Sequence, residues 1–286
     1  MNHIKTSEGR LYPIAELDNK ELPSVTNILN QRDKPALMYW TSKVTAMYAQ
    51  TELMDKLKDG SLTIEDIQGM DSRQFVQDAK TAHKRISDEA KDIGKKTHEF
   101  AHQLFWFLKD NPGEPLEMEV EEEIMEPAGA LVKWIEKNKV KPVAMEERVY
   151  SVDFEGYAGT FDVVAVVNGQ LKMLDIKTSK AIYPEYPLQA AAYEHAYVER
   201  NPGAITNGIA ILRLDKEDGY FDYADYSPEE TADYLQEFGL LCQIWHLNHD
   251  RNERKKQKNA EEKKQIKKLK TGIPKALKKA PGKSPF

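Results

Sequence analysis

One stretch constrains this chain more than any other: GTFDVVAVVNGQLKMLDIKTSK, from Gly159 to Lys180. Two apolar, β-branched arms flank Asn168-Gly169, the dipeptide most strongly tied to a tight hairpin turn. The hairpin carries Asp162 near the start of its first arm, and Asp175 and Lys177 at the end of its second. Such charges are costly in a half-buried sheet unless paired or metal-bound. Alternation puts Asp175 and Lys177 on one side of their strand and Ile176 on the other. Closing the turn at Asn168-Gly169 brings Asp162 across from Asp175. Two facing carboxylates repel, and a hard divalent cation relieves that repulsion. A lysine beside them steadies charge developing on a phosphate, so the set fits phosphodiester hydrolysis. An Asp–Lys ion pair at a solvated strand end is the plainer reading of the same spacing.

Around the hairpin the pattern is mixed. The first third reads as helical: LPSVTNILN with Ser24 as N-cap, ALMYWTSKVTAMYAQTELMDKL after Pro35, and a long helix from about Ser72 to Lys109. NPGEP at 111–115 stops it, and a further helix is expected over 120–138. Phe105, Trp106 and Phe107 read as core, while Trp40 is a candidate for base stacking. Extended segments follow at 143–151, 157–167 and 171–179, then a helix over 185–200. Strands are expected in ITNGIAILRLD and GYFDYADY, and a last helix is capped by Ser227, Pro228 and Glu230. The layout argues for an α/β core with a helical N-terminal layer. Three regions result: a helical part over 1–140, the sheet core and C-terminal helix over 141–250, and a basic tail over 251–286 without fixed fold.

Charge is unevenly placed. Of 286 residues with net charge −6, positions 251–286 hold 14 Lys or Arg against 3 Glu, or +11. The first 250 carry 27 positive and 44 negative charges, or −17. A basic end on an acidic body suits a polyanionic partner, or serves simply as a solubilising end. A single cysteine, Cys242, excludes a disulfide framework, a CxxC zinc pair and a cysteine-held iron–sulfur cluster, and fits a reducing cytoplasm. Neither a secretory signal nor an apolar run of membrane-spanning length is present, so no membrane partner is expected.

In order along the chain stand His98 in GKKTHEF, Asp162 in GTFD, Asp175-Ile176-Lys177, and Gln189 and Tyr193 in QAAAY. This succession resembles the PD-(D/E)XK nuclease superfamily, in its RecB-like and phage-exonuclease branch. The likeness runs from about residue 90 to 215, and LPSVTNIL resembles openings of phage-borne members. It implies a restriction-endonuclease-like core, a mixed central sheet flanked by helices. One or two Mg²⁺ or Mn²⁺ ions are expected on His98, Asp162, Asp175 and the backbone carbonyl of Ile176. Lys177 would help activate the attacking water, and Gln189 and Tyr193 would contact DNA or brace the site. A further glutamate is expected on the preceding strand: alternation with Val149 favours Glu147, the family spacing Glu146, and Glu146 is the one taken as a ligand. The function implied is a metal-dependent deoxyribonuclease, more an exonuclease than an endonuclease, in phage or bacterial DNA recombination, repair or processing. Its partner would be DNA, at linear ends of single or double strands, with a recombination, annealing or helicase protein as a further partner. It would work in the cytoplasm, that of the host if phage-encoded.

Two other classes compete. A non-catalytic DNA-binding or recombination-accessory protein would keep the fold and bind without cutting. His98-Glu99-Phe100-Ala101-His102 is also a literal H-E-x-x-H, as in zinc metallopeptidases, although no third ligand follows in a recognisable pattern.

Overall fold

The computed structural model describes residues 4–6, 9–114 and 118–272. The chain opens with a small antiparallel sheet: β1 (Ile4–Thr6), β2 (Gly9–Ile14) and β3 (Lys20–Pro23). The helical reading of the first third therefore misses three strands, which are short and largely polar apart from Leu11, Tyr12, Ile14 and Leu22. Helix α1 (Val25–Leu29) begins where Ser24 Oγ accepts the Asn27 N–H, as its N-cap role requires. Then come α2 (Pro35–Ala49), a π-helical segment (Gln50–Asp55), the short α3 (Lys56–Lys58) and α4 (Ile64–Gly69). The long α5 (Ser72–Asp110) packs along α2 and carries His98. Helix α6 (Met125–Asn138) precedes the sheet core.

The segment 143–151 is not one strand. β4 (Lys141–Met145) and β5 (Arg148–Ser151) belong to different sheets, and the chain turns between them at Glu146, whose φ is +51°. The segment 157–167 divides likewise into β6 (Tyr157–Thr160) and β7 (Val163–Val167), with Phe161 and Asp162 between. β5 and β6 form a separate two-stranded ribbon. β8 (Gln170–Lys177), α7 (Glu185–Arg200), β9 (Ile209–Leu214) and β10 (Phe221–Asp225) complete a five-stranded sheet of order β10-β9-β8-β7-β4. Its pairs are antiparallel except β8 with β9, which α7 connects as a crossover. At the β7–β8 turn Asn168 and Gly169 have φ of +50° and +87°, the left-handed pair that this tight turn demands.

The sheet is covered on both faces. Val164, Met173, Ile209 and Ile211 pack under α1, α7 and α8 (Pro228–Gly272), against Leu188, Phe238 and Cys242. Val163, Leu174, Ile176 and Leu212 face α5 and α6, against Phe100, Leu104, Leu131 and Trp134. Four fully buried alanines, Ala190, Ala191, Ala192 and Ala196, let α7 lie close on its face. The molecule is thus an α/β structure with a mixed five-stranded sheet between helices.

Two further expectations are corrected. Trp106 is not core; it is 42% exposed, and its indole N–H donates to His102 Nε2 at 2.6 Å. The basic segment is not without structure over 251–272, where it continues α8, largely exposed through residue 267. Ala, Glu, Lys, Gln and Leu are strong helix formers, and pairs such as Lys256–Glu253, 2.7 Å apart, support it. Residues 273–286 lie outside the described residues. Among the described residues no helix is long and apolar enough to cross a membrane.

Candidate metal and catalytic site

The last paired residues of the β7–β8 ladder are Val163 and Leu174, so Asp162 and Asp175 stand one step beyond them on facing strands. Ile176 N–H donates to Asp162 Oδ2 at 2.7 Å, which fixes that carboxylate across the strand end. Asp162 Oδ1 faces His98 Nδ1 at 3.5 Å, reached from α5. Lys177 Nζ lies 2.6 Å from Asp175 Oδ2, and its ammonium stands 5.0 Å from the Tyr186 ring centroid. Lys177 is thus the charged partner of the buried Asp175 carboxylate. Four of the expected residues, His98, Asp162, Asp175 and Lys177, are therefore brought to one strand end.

Their charges are strongly interdependent. Burial raises the Asp175 carboxyl most, the Asp162 charge adds to it, and Lys177 only partly opposes, leaving it at about 6. Burial also acts to raise Asp162, but His98, Lys177 and the Ile176 N–H outweigh it and hold this carboxyl below its ordinary value. Burial lowers and the aspartates raise both His98 and Lys177, and the aspartates prevail in each. Two adjacent carboxylates with oppositely shifted affinities for protons are a common mark of a working site.

Glu146 is the glutamate that the fold brings here. Its N–H donates to the Asp162 carbonyl at 3.0 Å. Lost solvent and the Asp162 charge raise its carboxyl, with His98 opposing, although the side chain stays exposed at the rim. Glu147 lies instead within electrostatic reach of Tyr197. Alternation pointed to Glu147 because it assumes an unbroken strand, and the left-handed turn at Glu146 breaks it. Gln189 Nε2 donates to the Tyr193 hydroxyl at 3.2 Å, and the buried Tyr193 lies within electrostatic reach of Asp175 and Asp162. Gly159 makes room for that ring, since a Cβ there would run into it. Tyr186 was not foreseen; an aromatic two residues beyond a proline gives no local sign of meeting Lys177.

The H-E-x-x-H residues are engaged separately. His98 faces Asp162, His102 accepts from Trp106, and Glu99 pairs with Lys95 at 3.2 Å.

Elsewhere, Asp153, His195 and Glu199 each offer a ligand atom, all within 4.8 Å of one another, so a possible metal-binding trio exists on the surface. His195 Nε2 already lies 3.0 Å from Asp153 Oδ2. His98, Asp162 and Asp175 do not form so tight a trio; Asp175 contacts Lys177, and Asp162 accepts from the Ile176 N–H. No protein-family model matches the chain, and no curated protein matches it in sequence.

Proposed function

We propose that this chain is a metal-dependent deoxyribonuclease of the PD-(D/E)XK type, with a restriction-endonuclease-like core. The reading favours exonuclease action in phage or bacterial DNA processing. The observation that carries it is the meeting of His98, Asp162, Asp175 and Lys177 at the end of the β7–β8 hairpin. A buried Asp175 and a half-buried Asp162 at one strand end, the first held high by burial despite its lysine partner, suit a hard cation better than a purely structural ion pair. His98, Asp162, Asp175 and the Ile176 carbonyl would hold Mg²⁺ or Mn²⁺, with Glu146 at the rim. Such an ion supplies acidified water and polarised phosphoryl oxygens.

The chain's own groups do the rest. The Ile176 N–H sets the orientation of Asp162, and Lys177 holds Asp175 in place. Because its aspartate neighbours outweigh its burial, Lys177 stays protonated at neutral pH. It therefore serves as a fixed cation that orients the attacking water and steadies charge on the phosphate, rather than as a general base. Gln189 props the Tyr193 hydroxyl and keeps the α7 side of the site rigid. The acidic body repels DNA, so the basic end supplies nonspecific, salt-sensitive affinity.

The test is cleavage of end-labelled linear and closed circular DNA with Mg²⁺, Mn²⁺ or EDTA, beside Lys177→Ala. Metal-dependent loss of linear DNA alone, abolished in the variant, supports the exonuclease, and the surviving label gives its polarity. Cut circles would move the chain to the endonucleases. Binding without cleavage under any metal would leave an accessory DNA-binding protein instead.

A further inference from the structure

Beside the metal site lies a cavity of about 310 Å³, walled by the β2–β3 hairpin, the start of α1 and the β5–β6 ribbon. One wall is basic: Arg10 projects from β2 and Arg148 from β5. Arg10 is exposed and has no acidic partner among the described residues. Arg148 holds its guanidinium 4.8 Å from the Tyr12 ring centroid, a contact that fixes its plane. Deeper in, Ser24 and Thr26 present hydroxyls 3.0 Å apart. The remaining wall is shared with the metal site, because Glu146 and Tyr193 line both.

This is an unusual composition for an acidic body that carries −17 over its first 250 residues. Two guanidiniums beside two hydroxyls match a phosphate group, to which arginine donates in a planar fork. The volume stands at the small end for ligand sites, so it accommodates one nucleotide-sized group and not a duplex. Glu146 would repel an anion, which places the phosphate against the arginine wall, away from the shared side.

We propose that this pocket seats a backbone phosphate of the substrate strand, next to the scissile one, through Arg10 and Arg148. The inference rests on the nuclease reading and deepens it: the seat would fix the register of the strand so that one phosphodiester falls at His98, Asp162 and Asp175. Arg10 and Arg148 are thus positioning residues that hold substrate without touching the reacting atoms.

Two measurements on the full chain test it. The first is fluorescence anisotropy of a labelled single-stranded oligonucleotide in EDTA across a salt series. The second is steady-state cleavage of the same oligonucleotide in Mg²⁺. The variants are Arg10→Ala, which removes an exposed side chain, and Arg148→Lys beside Arg148→Gln, which separate charge from stacking. Arg10→Ala and Arg148→Gln should raise Kd and KM about tenfold each. They should leave kcat within about twofold and flatten the logarithmic salt slope by about 0.7, one phosphate's share for a single strand. Arg148→Lys should recover part of the loss. Unchanged Kd, KM and salt slope in a chain that cleaves would overturn the phosphate seat and leave the nuclease reading standing. A wild-type chain that cleaves nothing, yet binds the oligonucleotide through Arg10, would overturn the nuclease reading and keep the seat. Neither binding nor cleavage would sink both.

Discussion

Asp153, His195 and Glu199 stand at the surface with their ligand atoms within 4.8 Å of one another, whereas His98, Asp162, Asp175 and Lys177 are spread over a wider, largely buried cluster. By proximity alone the first set is the better metal site. In the first set, however, His195 is satisfied by Asp153 at 3.0 Å, and water reaches the two carboxylates. In the second, Asp175 is 2% exposed and is pushed to about 6 even though Lys177 pairs with it at 2.6 Å. Burial of charge costs free energy that a folded chain retains only where something offsets it. On the proposed function, a buried carboxylate whose pairing with Lys177 does not restore its ordinary proton affinity is a stronger pointer to the working site than closeness of ligand atoms.

The comparison breaks most sharply under substitution. Asp162→Asn and Lys177→Ala should lower kcat for DNA cleavage by about 10²–10³-fold. His195→Ala and Glu199→Gln should leave it within about twofold of wild type, with circular dichroism confirming that every variant is folded. Equal losses from both clusters would erase the distinction.

Proton competition gives the next largest effect. Asp175 binds a proton up to about 6, and His98 holds its own above the ordinary 6.5. Both protons must leave before a cation binds, so affinity rises with pH. Isothermal titration with Mn²⁺ should show affinity falling about tenfold or more per pH unit below about 6. A flat profile from pH 5 to 7 would contradict the coupling of these groups.

A glycine on the shared wall sharpens the contrast further. Gly159→Ala drives a methyl into the Tyr193 ring and should cost about 1–3 kcal/mol, read as a lowered Tm. Gly129→Ala, in α6 with open space around it, should instead stabilise by up to about 1 kcal/mol. The smallest expected effect on the site comes from removing residues 251–286. The cut falls beyond Trp245, the last residue of α8 in the buried core, so metal binding should be unchanged. DNA binding should weaken and lose salt dependence; an unchanged slope would remove the basic end from recognition.

Much of this was legible before any coordinates, for local reasons. Asn168-Gly169 fixes the hairpin register, and that register alone carries Asp162 to Asp175. Capping was equally plain: Ser227 and Glu230 exchange backbone hydrogen bonds at 3.2 and 2.8 Å, as their spacing implies. What escaped depended on distant partners or on unmarked bends. Nothing in Glu146-Glu147 announces a left-handed residue, so one apparent strand became two, and the alternation that favours Glu147 fails while the spacing that favours Glu146 matches the fold. The strands β1 to β3 are too short and polar to show a period, yet they bring Arg10 and Tyr12 to the site's flank. The Asp153, His195 and Glu199 cluster joins a turn to a helix some 40 residues later, which spacing alone does not reveal.

The most direct test of the account is where a divalent ion binds. Mn²⁺ bound to the full chain at pH 7.5 would be counted by electron paramagnetic resonance for wild type, Asp162→Asn, Asp175→Asn and His195→Ala. Binding that is lost in both aspartate variants and kept in His195→Ala would place the ion in the buried cluster, as predicted. Binding kept in the aspartate variants and lost in His195→Ala would put it on the surface trio and contradict the central claim.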